Sequence, residues 1–241
     1  LHEFEGLNIV RQEMSFTVLL ASIPALISRR VVQYMSLVFF ATLFHASSAI
    51  FFPLYLFLHK ETPIPAWSQF GLLLLVTASA GTLATELFNF LPRLALFFQV
   101  SRFKDVQEDL FFSEDGGLSM GLGFLFGLVT DAFLIFTSSR LIKRYSHVGF
   151  SSYYNLFLIG ALLSPAVTEA NYIVFARLNY FFLSFKFVCL SFLLASLFSK
   201  SPIFKQGAIL GALLILSYYA WFLMAISQGA AWCAPFNFVF D

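Results

Sequence analysis

The sequence predicts an all-α fold: a polytopic bundle of transmembrane helices with one broken or re-entrant helix pair. Three observations carry this. Hydrophobic residues make up 59% of the chain and charged residues only 11%, against about 25% charged in a soluble domain. Phe alone contributes 34 of 241 residues, a side chain that packs against lipid or other helices and needs no hydrogen-bond partner. The apolar residues gather into runs near the length of roughly 20 residues that a spanning helix needs. The whole chain, 1–241, reads as a single membrane domain. It opens on Leu1, not Met, and further N-terminal spans are expected upstream.

The runs follow in order. The first spans about Gly6 to Ser28 and stops at Arg29 and Arg30. Val31 to Leu58 comes next, 28 residues interrupted near His45, Ser47, Ser48 and Pro53. Trp67 to Phe90 is the third. The stretch 92–117 mixes both signs of charge with Phe97, Phe98, Phe103, Phe111 and Phe112, as an interfacial loop on the outer face does. Leu118 to Ser138 is followed by a basic loop, Arg140 to His147. Tyr153 to Val167, Tyr172 to Ser199 and Ala208 to Ser227 complete the set.

The 28-residue run decides the topology. If it folds back near His45, Arg29, Arg30, Lys60, Arg140, Lys143, Arg144, Lys200 and Lys205 collect on one side, which the positive-inside rule makes cytoplasmic. Non-helical backbone at membrane depth survives only when buried in protein or lining a cavity, so the break points into a site. The net charge of +1 gives no reason to expect a nucleic-acid partner. No Walker, HExxH, GxSxG or dinucleotide fingerprint is present. No cofactor and no metal site are expected, and Cys189 and Cys233 carry no disulfide or ligand pattern.

Ionisable side chains inside spans cost about 2.5–3.5 kcal/mol at a helix centre on insertion scales, so each needs a reason. Arg11 and Gln12 belong to a polar stripe with Glu5, Asn8 and Ser15 at helical spacing. That stripe fits either an anion-binding face or an arginine snorkelling to the headgroups. Arg177 and Tyr180 share a helical face near Glu169 and suit a diphosphate or a sugar; an interfacial anchor is the competing role. His45 is a candidate base, a phosphate ligand or the cap of a broken helix. Asp131 and Lys186 fall at matched depths and are expected to form a structural ion pair, with a proton relay as the other possibility.

Three stretches resemble the EpsG family, the Wzy-like polymerases of bacterial exopolysaccharide and O-antigen synthesis. "NIVRQEMSFTVLLASIPALISRR" is similar to the family's Arg-Gln helix and basic turn. "YMSLVFFATLFHASSAIFFPLYLF" is similar to its Phe-His-x-Ser-x-Ala segment, and "FARLNYFF" to its late Arg-x-x-Tyr-Phe helix. The likeness covers about a quarter of the chain and looks like the family's C-terminal portion. It implies a glycosyltransferase of the bacterial inner (cytoplasmic) membrane that transfers glycan from undecaprenyl diphosphate to another lipid-linked repeat unit at the outer face. It also implies a chain-length regulator and other polysaccharide-assembly proteins as partners, beside the bilayer. Arg11, Gln12, Arg177 and Tyr180 would then bind diphosphate and sugar. His45, Glu169 or a carboxylate in 108–115 would take the acceptor proton. A flippase for lipid-linked sugars, a glycan ligase and a membrane acyltransferase are the alternatives.

Overall fold

The computed structural model describes residues 2–58, 64–83, 122–170, 173–198, 211–213 and 215–216, with side chains from residue 10 onward and excluding 122–124, 168–170 and 173–178. The described residues contain helices and turns and no strand. In chain order the helices are α1 (His2–Ile27), α2 (Val31–Phe44), α3 (Phe51–Leu54), α4 (Ala66–Ala78), α5 (Leu122–Arg144), α6 (Phe150–Ala170) and α7 (Ile173–Phe198). Short 3-10 turns occupy Ala46–Ile50 and Ser146–Val148. Segments of α1, α5, α6 and α7 are long and apolar enough to cross a membrane: Val10–Ile27, Leu125–Arg144, Phe150–Val167 and Asn179–Phe198. Their outward faces carry large apolar side chains, including Val129 at 66% and Phe187 at 62% exposure. Apolar surface this extensive belongs against lipid.

The chain turns sharply after α1. Arg30 N donates to Ala25 O at 2.9 Å and Arg29 N to Leu26 O at 3.1 Å, the paired bonds of a Schellman cap. Arg29 occupies the left-handed position (φ 55) that glycine usually takes.

The run 31–58 folds back, as expected from the sequence. α2 ends at Phe44 and His45 is extended (φ −149, ψ 117). The chain then returns beside the start of α2. Tyr34, in its first turn, donates from its hydroxyl to Phe51 O at 2.7 Å, and its ring lies 5.3 Å from that of Tyr55. Tyr34 and His45 are about 16 Å apart along the helix axis, so this contact is possible only if the chain reverses. Phe51 is buried and stacks on Phe182 of α7 at 5.4 Å.

One end of the bundle collects most of the cations among the described residues. Gly149 (φ +68) lies so close to Ile27 that a Cβ there would meet the Ile27 side chain at 2.6 Å. The α5–α6 turn therefore caps the end of α1. Arg144 of α5 donates to Ser196 Oγ of α7 at 3.2 Å. Asn155, early in α6, donates to Leu58 O at 3.4 Å, which brings the returned segment to the same end. Arg29, Arg30, Arg140, Lys143 and Arg144 are all exposed there.

Some boundaries differ from the sequence expectation. The basic loop Arg140–His147 is mostly helix: α5 continues to Arg144 and the turn itself is 145–149. Lysine and arginine are favourable in a last helical turn, where they face the negative end of the dipole, and their stems cover apolar surface while the charge reaches water. α4 stops at Ala78, and helix resumes over 80–83. The rest of the third run, the loop 92–117 and most of 208–227 lie outside the described residues. Helix α6 packs closely on α7 because a Cβ on Gly160 would meet Phe182 and Leu183 backbone atoms at 2.8 Å.

Candidate functional site

The deeper part of α1 is apolar, and its polar residues concentrate from Ser15 back toward its start, about 20 Å from the basic end by helical rise. Gln12 is buried and lies on the core face with Leu19, Ile23 and Leu26. Arg11 and Glu13 flank it and are exposed. Residues two apart on a helix face different directions, so the two charges serve different neighbours. Phe16 meets Phe185 edge-on at 5.5 Å, which turns the Glu13 side of α1 toward α7. Ser15, one turn below Arg11, faces the broken segment.

Ser15 holds that break together. Its Oγ donates to Ala41 O at 3.0 Å, and Ala41 O also accepts from His45 N at 3.1 Å. Ser15 and Ser48 share a further hydroxyl bond. Ser15 has one proton and gives it to Ala41, so Ser48 is the donor. Both serines are fully buried. Ser15 thus anchors both the last turn of α2, through Ala41 O, and the 3-10 turn after the break, through Ser48, to α1.

His45 stands at the break with its ring edge-to-face on Phe181 of α7, 5.8 Å between centroids. The adjoining Tyr180 hydroxyl donates to Glu13 Oε1. Asn179, next in the chain, is 97% buried, and its Oδ1 has no hydrogen-bond partner among the described residues. α1, the His45 break and the N-terminal half of α7 thus meet in one polar layer holding Gln12, Glu13, Ser15, His45, Ser48, Asn179 and Tyr180.

Of the residues singled out from the sequence, Gln12, His45 and Tyr180 come together in this layer, with exposed Arg11 at its edge. Glu169 lies in the last turn of α6 and Arg177 one turn before Phe181 in α7; their side chains are outside the described residues, as are Glu5, Asn8 and all of 108–115. Asp131 and Lys186 also come together. Lys186 Nζ sits 2.7 Å from Asp131 Oδ1, both side chains mostly buried, and it donates to Gly127 O at 3.2 Å. This pair ties α5 to α7 about 9 Å deeper along α7 than Tyr180. Glu13 was not among the sequence candidates. The available signal for Glu13 was a carboxylate inside a span, two residues from Arg11.

The three stretches that resemble EpsG proteins are the three that touch here. The family model described as "EpsG family" matches residues 2–238. The chain belongs to the EpsG family. It is an exopolysaccharide-related membrane protein, of a family associated with glycan polymerase and glycosyltransferase function. No curated protein and no solved structure matches the chain. In this EpsG-family chain, the Arg-Gln helix is α1, the Phe-His segment is the break after α2, and the Arg-x-x-Tyr-Phe helix is the start of α7.

Proposed function

We propose that this protein is a membrane glycan polymerase, transferring a glycan from undecaprenyl diphosphate to the sugar end of another lipid-linked repeat unit. The supporting observation is the convergence of Gln12, Glu13, His45 and Tyr180 in one layer away from the cationic end. With the basic end cytoplasmic by the positive-inside rule, the reaction belongs at the outer face of the bacterial inner membrane. The candidate site residues whose side chains are described crowd this layer, which favours one-sided chemistry over alternating access.

In the proposed reaction an acceptor hydroxyl attacks the anomeric carbon of the donor glycan. The bond from that carbon to the diphosphate oxygen breaks, and the electron pair leaves with the diphosphate. Arg11 and Arg177 stabilise the leaving diphosphate, because a guanidinium binds phosphate through paired charge-assisted bonds. Gln12 and Tyr180 orient oxygens of the substrate. His45 and Glu169 are candidates to take the acceptor proton. A chain-length regulator and further polysaccharide-assembly proteins are the proposed partners. Arg11→Ala and Arg177→Ala are expected to leave glycan as single lipid-linked units on a gel of extracted polysaccharide. Long polymer at the parental rate in both variants contradicts the proposal.

A further inference from the structure

We propose that Glu13 is the catalytic base that takes the acceptor hydroxyl's proton, and that Tyr180 positions it. This rests on the polymerase function proposed above and adds to it a residue the sequence pattern did not single out.

Glu13 is a carboxylate inside the apolar segment Val10–Ile27, a location that costs free energy unless the side chain has a partner or a task. Its partner is a neutral phenol: Tyr180 donates to Oε1. One hydrogen bond fixes the carboxylate's direction and leaves the second oxygen available, since no hydrogen bond reaches Oε2 among the described residues. Arg11 points elsewhere, because residues two apart do not share a helix face. Glu13 and Tyr180 are both exposed, so an acceptor sugar can approach from the open side. His45 is less accessible, half-buried with its ring against Phe181.

The step balances. The acceptor O–H bond breaks as its oxygen bonds to the anomeric carbon. The proton passes to Glu13 Oε2, and the carbon–oxygen bond to the diphosphate breaks with its electrons on the diphosphate. The charge that leaves with the diphosphate falls to the arginines named under the proposed function.

The test uses membranes containing the full chain and, as probe, undecaprenyl-diphosphate-linked repeat units extracted from cells lacking this protein. Glu13→Gln is expected to lower turnover by about 100-fold or more, the usual contribution of a general base, with KM for the repeat unit changed less than threefold. Glu13→Asp recovers part of the turnover. Glu13→Ala recovers part on addition of formate, a small carboxylate that replaces a missing base but not a missing structural contact. Tyr180→Phe lowers turnover less than Glu13→Gln does. Turnover within threefold of parental in Glu13→Gln overturns the assignment, as does an inactive Glu13→Ala that formate does not revive. Parental membranes that make no polymer overturn the polymerase function itself. Inactive Arg11→Ala beside active Glu13→Gln overturns the Glu13 assignment alone.

Discussion

Lys186 is the residue whose substitution separates structure from chemistry most cleanly. Its ammonium is paired with Asp131 at 2.7 Å and with Gly127 O. Lys186→Met leaves the Asp131 carboxylate in an apolar bundle without its cation. Breaking one partner of a buried pair costs about 3–5 kcal/mol, so the variant is expected to melt earlier in detergent. Binding of the lipid-linked unit is expected to remain. Combining it with Asp131→Leu removes the stranded charge and is expected to restore most of the stability. A Lys186→Met protein of normal stability that has lost activity contradicts a structural role. Arg29 gives the opposite sign. It holds a left-handed position (φ 55) that disfavours any residue with a Cβ, so Arg29→Gly is expected to stabilise the protein by about 1 kcal/mol, read as a raised Tm.

At the scale of elements, the hairpin 31–58 is set by few bonds. Tyr34 holds the returning segment through Phe51 O, and Ser15 holds the break through Ala41 O. Tyr34→Phe is expected to cost about 1 kcal/mol, the net worth of one hydrogen bond, and to make 46–58 more open to protease in detergent. An unchanged digestion pattern and Tm contradict that role. The reversal at His45 was legible in the sequence, because a mostly apolar run of 28 residues exceeds one span and a His-x-Ser-Ser cluster interrupts it. What Ser15 does was not legible. Its spacing with Arg11 gave the appearance of a ligand-binding stripe, whereas its hydroxyl serves the backbone of α2. A stripe at helical spacing names a face, and only the packing says what the face meets. Glu13 lies off that stripe, on the side that turns to α7, so the stripe does not point to it. α5 runs past the expected end because a cation does not stop a helix, and in a last turn it is favourable.

At the scale of the whole molecule, the clustering of cations at one end gives a topology that labelling can check. Cysteines introduced at Ser28 and at Ser146, in the two turns joined by the Ile27–Gly149 contact, are expected to react with an impermeant maleimide only from the cytoplasmic side. Native Cys189 is fully buried and is expected to stay silent. Labelling of the two sites from opposite sides contradicts the fold-back. The central claim is that the polar layer formed by α1, the His45 break and α7 joins lipid-linked repeat units at the outer face. Its most direct test is the glycan found on undecaprenyl diphosphate when the gene is deleted. The account predicts single repeat units, accumulated at the outer face and unpolymerised. Units held at the cytoplasmic face would mark a flippase and contradict it.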